Sequence, residues 1–326
     1  MKLAVLGAGA WGTAISISLA ARHDVTLWAR DARLAETLAA TRCNQRYLPD
    51  LAIPSAVRIT DALSAALEHS ELILAATTTA GLRPTLRAVA AQGGSTPLVW
   101  LCKGFESESA ELPHQIAADE LPEATRRAVL SGPSFAQELA RGLPAALTLA
   151  GGDADFVSNV ARALHSNALR IYSSEDMVGV EVAGAVKNVT AIAAGISDGL
   201  GLGYNARAAL ITRGLAEITR LGLKLGGRLE TFIGLAGVGD LILTCTADLS
   251  RNRTVGLQLA RNLALPDVLR GLGHVAEGVY AARAADRLAR ELDVDMRITR
   301  AVCRVMDEGV APGAAHGLLN ADDDLA

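Results

Sequence analysis

The chain has 326 residues, with 31 Lys and Arg against 35 Asp and Glu, a formal net charge of −4 and a pI near 5.9. That length suits about two domains with ample core, and the slightly acidic balance argues against a nucleic-acid partner. A mean hydropathy of +0.27, with 50% hydrophobic but only 3% aromatic residues, excludes disorder and fits an α/β enzyme with closely packed helices.

At the N-terminus, Leu3 to Ala21 carry no charge and follow Lys2, a pattern shared by signal peptides and membrane spans. Gly7, Gly9 and Gly12 interrupt the run, so the segment reads as a buried strand from Lys2 to Leu6, a glycine turn and a helix from about Ala10. No other stretch reads as long, apolar and uninterrupted enough to cross a bilayer, so no stable membrane insertion is expected.

Short β-prone runs then alternate with helical patterns: Asp24 to Ala29, Glu71 to Ala76, Pro97 to Cys102, Arg127 to Ser131, Ala145 to Ala150 and Ala168 to Ser173. Such alternation predicts a mostly parallel, doubly wound sheet. After Ser174 the strand signals fade. Helical stretches follow at Met177 to Ile196, Ala206 to Leu221, about Asn252 to Leu263, Val275 to Leu292 and Thr299 to Glu308. The expected organisation is therefore a dinucleotide-binding α/β domain over 1–174 and an all-helical substrate-binding domain over 175–326. The four cysteines, Cys43, Cys102, Cys245 and Cys303, lie far apart without a C-x-x-C pair or a His at ligand spacing. Neither a disulfide scaffold nor a metal site is expected, and a reducing cytoplasmic compartment fits.

Gly7-Ala8-Gly9-Ala10-Trp11-Gly12 stands between the first strand and the first helix. In that place Gly7 makes the turn, Gly9 admits a pyrophosphate and Gly12 lets helix and sheet pack, with helix N–H groups facing the phosphates. A tight turn without a ligand is the plain alternative. The second strand ends at Arg30, where dinucleotide-binding folds commonly place an acid for the adenosine ribose. A cation there suits a 2′-phosphate, Asp31 beside it suits a plain ribose, and a solvated Arg-Asp pair is the third reading.

Lys187 lies inside a helix that is apolar nearly all round, among the small residues Ala183, Gly184, Thr190 and Ala191. Partial burial lowers a lysine's pKa toward the acid/base range and small neighbours leave room for a substrate. A snorkelling or ion-paired structural lysine is the alternative. Asp240 closes a glycine-rich segment, and Ser250-Arg251-Asn252-Arg253 stands at the next helix start, a composition suited to a phosphomonoester and also to an ordinary cap. Lys103-Gly-Phe and Ser131-Gly-Pro-Ser-Phe-Ala136 each follow a predicted strand, at the edge where doubly wound sheets bind ligands.

Together with Val186-Lys-Asn188, Leu210-Ile-Thr-Arg-Gly214 and Gly239-Asp-Leu-Ile-Leu-Thr244, these motifs resemble the bacterial soluble NAD(P)-dependent glycerol-3-phosphate dehydrogenases, in the family's order from residue 3 to about residue 310. The resemblance implies a Rossmann domain joined to a helical domain. It implies reversible reduction of dihydroxyacetone phosphate to sn-glycerol 3-phosphate for glycerophospholipid synthesis, with Lys187 as proton donor and acceptor. It places Lys103, Gly132, Ser134, Lys187, Asp240, Ser250, Arg251 and Asn252 around the substrate. It places Ala10, Trp11, Arg30, Lys103, Ala136, Arg251, Val275 and Glu277 at the cofactor, beside Gly7, Gly9 and Gly12. NADP or NAD is expected to work, with NADPH favoured, and a homodimer is the expected assembly. Ala10 stands where the family often has Ser, which removes a side-chain hydrogen bond. A dehydrogenase of hydroxy acids or sugar acids, and a silent NADP-binding regulator, are the competing readings; neither needs both a phosphate-reading segment and a buried lysine.

Overall fold

In the computed structural model residues 1–272 and 276–314 are described, and their backbone packs into two units. One comprises Met1–Cys102 with Pro113–Met177; the other comprises Lys103–Leu112 with the chain from Val178 onward.

In the first unit the apolar runs become strands β1 (Lys2–Leu6), β2 (Asp24–Trp28), β3 (Cys43–Asn44), β4 (Leu48–Ala52), β5 (Arg58–Thr60), β6 (Leu72–Ala75), β7 (Leu98–Trp100), β8 (Arg127–Ser131), β9 (Ala145–Ala150) and β10 (Leu169–Ser174). Eight of them form one sheet in the order β10-β9-β8-β7-β6-β1-β2-β5. All neighbours are parallel except β8 and β9. Leu3, Ala4, Val5 and Leu6 are all but inaccessible, as expected for a central strand covered on both faces, and this is why the run is continuously apolar instead of alternating. Ile15, Leu38, Val157 and Val160, from three different helices, join the same core. The chain order reverses at β1, which lies between β6 and β2, so its carboxyl end is a topological switch point.

Three strands lie outside the expected set. β3 and β4 form a small antiparallel hairpin, and β5 adds an outer strand beside β2. β3 and β5 are only two and three residues long, and β4 is interrupted by Pro49 and Asp50, so they carry little periodic signal. Within the eight-stranded sheet β8 with β9 is the one antiparallel pair, in keeping with the expected mostly parallel order.

The second unit is helical: Met177–Gly199, Gly203–Lys224, Leu229–Phe232, Asp240–Thr246, Arg251–Leu259, Leu265–Leu272, Glu277–Glu291 and Arg297–Asp307, with a π-helical turn at Leu235–Gly239. Every residue of Met177–Gly199 from Gly179 to Ser197 is buried, so this helix is the axis around which the others pack. Phe105 and Leu112 join that helical core, which anchors the segment carrying Lys103.

The expectation that no later stretch could cross a bilayer is corrected here. Met177–Gly199 and Leu229–Thr246 both satisfy length and hydropathy. The first has 89% of its apolar window buried inside the protein; the second is broken into two short helices and the π-helical turn. All four cysteines are free thiols.

Candidate active site

The glycine turn follows β1 as its sequence requires. Gly7 has φ +117°, and a Cβ there would stand 2.7 Å from the Ala76 carbonyl oxygen, so no side chain fits. At Gly12 a Cβ would meet the Gly7 oxygen at 1.8 Å, which makes this glycine the condition for packing the helix Ala10–Leu19 against the turn. Around Gly9, by contrast, nothing lies within 4 Å of a built Cβ, and this residue caps the helix without any side-chain acceptor. Open space over uncapped N–H groups is what a pyrophosphate needs, so these residues fit a dinucleotide.

The turn is held from behind by Asn44, whose Nδ2 donates to the Ala8 carbonyl oxygen at 3.0 Å and to Thr13 Oγ1 at 2.8 Å. Sequence reasoning missed Asn44, because it lies on the unforeseen two-residue strand β3. Trp11 reaches across to the segment after β8, its Nε1 donating to the Ser134 carbonyl oxygen at 3.3 Å. Gly132 there has φ +137°, and Ser134 Oγ donates back to its carbonyl oxygen at 3.0 Å. Ala136 opens the short helix Ala136–Ala140. Trp11, Gly132, Ser134 and Ala136 are thus neighbours of the glycine turn.

Arg30 is exposed and has no hydrogen-bond or ion-pair partner among the described residues. Asp31 is the N-cap of the helix Ala32–Thr41, with Oδ1 accepting from the N–H groups of Arg33 at 2.9 Å and Leu34 at 3.4 Å. Asp31 therefore caps this helix through Oδ1, and the reading of a solvated Arg30–Asp31 pair is corrected, since the two form no ion pair among the described residues.

In the helical unit Lys187, Asp240, Thr244 and Lys103 converge. Lys187 Nζ is ion-paired with Asp240 Oδ1 and donates to Thr244 Oγ1 at 2.9 Å; Lys103 Nζ donates to Asp240 Oδ2 at 2.8 Å. Thr244 in turn donates to the Asp240 carbonyl oxygen at 2.6 Å. The π-helical turn Leu235–Gly239 delivers Asp240 to the first turn of the next helix, from which its side chain enters the core. Side-chain exposure is 6% for Lys187, 1% for Asp240 and 18% for Lys103.

Burial pulls the Lys187 ammonium down to about 8, with Lys103 adding repulsion and Asp240 opposing both. Burial alone would raise the Asp240 carboxyl, but the two ammonium groups outweigh it and hold it below the usual carboxylate range. The cluster therefore contains a fixed carboxylate and a lysine near the midpoint of its titration in slightly alkaline solution. Thr244 was not singled out from the sequence; its position four residues after Asp240, one helical turn on, was the available signal.

Ser250 caps the helix Arg251–Leu259, its Oγ accepting the Arg253 N–H at 3.3 Å. Arg251 is exposed beside it. Asn252 is buried and occupied: its Nδ2 donates to Asn188 Oδ1 at 3.0 Å and its Oδ1 accepts the Gly278 N–H at 3.0 Å. This places Asn252 between the helix of Lys187 and the helix Glu277–Glu291, whose first residue is the half-buried Glu277. Arg253 is engaged by Asp198 and Asp248, not left open for an anion. Val275 lies outside the described residues.

A family model described as the N-terminus of NAD-dependent glycerol-3-phosphate dehydrogenase matches residues 2–157, and its C-terminal counterpart matches residues 176–316. The glycerol-3-phosphate dehydrogenase [NAD(P)+] of Nitrosospira multiformis is 58% identical over 325 residues, covering 98% of either chain. That of Burkholderia orbicola is 58% identical over 329 residues, covering 99% of each. The crystal structure of glycerol-3-phosphate dehydrogenase from Coxiella burnetii superposes with a TM-score of 0.94 at 38% identity, over 98% of this chain and 99% of that one. The chain belongs to the NAD-dependent glycerol-3-phosphate dehydrogenase family.

Proposed function

We propose that this chain catalyses the reversible NAD(P)H-dependent reduction of dihydroxyacetone phosphate to sn-glycerol 3-phosphate, a reading supported by relatives named glycerol-3-phosphate dehydrogenase [NAD(P)+]. The observation that carries the reading is the buried Lys187–Asp240–Lys103 cluster, with its lysine pulled down to about 8. The glycine turn and Trp11, Gly132, Ser134 and Ala136 would hold the dinucleotide, with Arg30 on the 2′-phosphate of NADPH. When bound, the reduced nicotinamide supplies a hydride to the C2 carbonyl carbon.

Lys187 carries three N–H donors. Asp240 and Thr244 take two, and the third has no acceptor among the described residues, so it is available to the C2 carbonyl oxygen. Polarised by this ammonium, the carbonyl carbon becomes electrophilic, and the oxygen receives the lysine proton as the hydride arrives. In the oxidative direction neutral Lys187 takes the hydroxyl proton. Asp240 fixes the ammonium and is not itself protonated. Ser250 and Arg251, at the start of a helix, would hold the substrate phosphate through a hydroxyl, a guanidinium and the helix N-terminus. Asn252 contributes by setting that helix against Asn188.

The product is the glycerol backbone that acylation turns into glycerophospholipid, and supplying it is the proposed cellular role. A cytoplasmic homodimer belongs to the same proposal, supported by the exposed Leu229, Ile233 and Ile242 on the helical unit. The test is NADPH and NADH oxidation with dihydroxyacetone phosphate and with unphosphorylated dihydroxyacetone. Turnover with the phosphorylated ketone alone is expected; equal turnover of the two ketones contradicts the phosphate site.

A further inference from the structure

The helix Met177–Gly199 carries Lys187, and the helix Arg251–Leu259 begins at the segment read above as the phosphate site. The two touch along one stripe. Asn188 accepts from Asn252 near the start of the stripe. One turn and more onward the backbones meet: a Cβ on Gly195 would stand 2.0 Å from the Arg253 carbonyl oxygen, and one on Gly256 would stand 2.0 Å from that of Ile192. At the far end Asp198 Oδ2 accepts from Arg253 Nε and Nη2, both at 2.8 Å.

Arg253 is therefore held at three of its groups. Its N–H is taken by Ser250 Oγ at 3.3 Å, its carbonyl lies on Gly195, and its guanidinium is pinned by Asp198. Arg253 and Asp198 side chains are each only 12% exposed, whereas Asp248, the other carboxylate on this guanidinium, is 99% exposed and contributes little. Arg207 adds a second cation to Asp198 Oδ2 at 2.9 Å and, among the described residues, has no hydrogen bond or ion pair to the helix Arg251–Leu259. Gly195, Gly199 and Gly256 give close approach without a polar anchor; the Asp198–Arg253 pair supplies one ten residues, about 15 Å, along the helix from Asn188.

We propose that Asp198 is a positioning residue of the reaction: through Arg253 it fixes the rotation and axial register of the Ser250–Asn252 helix start relative to Lys187, and so sets recognition of the substrate phosphate. This rests on reading Ser250 and Arg251 as the phosphate site. Asp198 itself touches neither substrate nor cofactor. Misplacing a binding group by a fraction of an ångström to an ångström costs up to about a hundredfold, and the cost falls on the step that uses the phosphate.

The experiment is steady-state reduction of dihydroxyacetone phosphate by the full chain and the variants Asp198→Asn, Asp198→Glu, Arg207→Gln and Arg251→Ala, with NADPH affinity measured separately by nucleotide fluorescence. Asp198→Asn is expected to raise KM by about tenfold or more, with kcat within about threefold and the NADPH Kd and the alkaline limb of the pH profile unmoved. Asp198→Glu is expected to restore most of the KM, and Arg207→Gln to stay within about twofold of wild type. A KM that is unchanged or lower in Asp198→Asn, or equal losses in kcat, KM and NADPH binding, overturns the proposal. If Asp198→Asn does not fold, Arg253→Lys is read in its place. That variant keeps the charge but cannot put two donors on one oxygen, so an unchanged KM overturns the proposal and a raised KM with kcat held sustains it. An Arg251→Ala enzyme with wild-type KM instead removes the phosphate-site reading, and the proposal falls with it.

Discussion

Lys187 and Asp240 form an ion pair in which both side chains are almost entirely withdrawn from water, at 6% and 1% exposure. A buried pair of this kind adds little net stability, because the desolvation of both ions offsets their attraction. Its consequence is chemical: it keeps one proton mobile next to a fixed negative charge.

That proton sets the pH dependence. Since Lys187 titrates at about 8, ketone reduction, which needs the ammonium, is expected to hold below that pH and fall as pH rises through it. Alcohol oxidation, which needs the neutral amine, is expected to rise through the same range. Asp240→Asn removes the carboxylate that raises the Lys187 pKa, so it is expected to move both limbs to lower pH. kcat/KM profiles in the two directions check this.

Cofactor choice is expected to follow Arg30. The exposed guanidinium meets no carboxylate partner among the described residues, so both NADPH and NADH are expected to bind. Arg30→Ala is expected to weaken NADPH by up to about tenfold, since an exposed charge contact is screened, and to leave NADH nearly unchanged. Fluorescence titration of each nucleotide decides it. Equal losses would mean that Arg30 supports the adenine or the fold.

Arg251→Ala is expected to raise the KM for dihydroxyacetone phosphate by about 10- to 100-fold, the value of a charge-assisted hydrogen bond to phosphate. Steady-state kinetics at saturating NADPH measure it, and an unchanged KM would remove Arg251 from the site.

Glu217 provides a stability prediction apart from the chemistry. It is buried in the helix Gly203–Lys224 and accepts the N–H groups of Ile298 at 2.6 Å and Thr299 at 3.2 Å, capping the helix Arg297–Asp307. Burial lifts its carboxyl to about 7, against the opposing effect of those N–H groups. The folded state thus keeps a proton that the unfolded chain releases above about 4.5. Its contribution is full below that pH and is lost as pH rises through about 7. Glu217→Gln, which cannot titrate and turns one acceptor into a donor, is expected to cost about 1–3 kcal/mol. The difference from wild type in denaturant unfolding is expected to be larger at pH 5 than at pH 8.

Much of this was legible in the residues. β1, β8 and β9 run where the apolar segments place them, and Gly7, Gly9 and Gly12 each have the surroundings that their spacing requires. Lys187 was legible because a lysine inside a helix that is apolar nearly all round has few explanations. What stayed hidden depends on distance in sequence. That Lys103 would pair with Asp240, 137 positions away, has no local signature. Neither does the burial of Asn252 between Asn188 and Gly278, which a helix-start motif cannot distinguish from an open ligand. In the β3–β4 hairpin one strand has two residues and the other is broken by Pro49 and Asp50, so it did not register, and Asn44 was missed with it.

The most direct measurement compares wild type with Lys187→Ala in NADPH oxidation with saturating dihydroxyacetone phosphate, alongside NADPH affinity by fluorescence. Loss of the proton donor is expected to lower kcat by about a hundredfold or more, with the NADPH Kd unchanged. A variant that binds NADPH normally and turns over at close to the wild-type rate would contradict the assignment of Lys187 as the acid and base of the reaction.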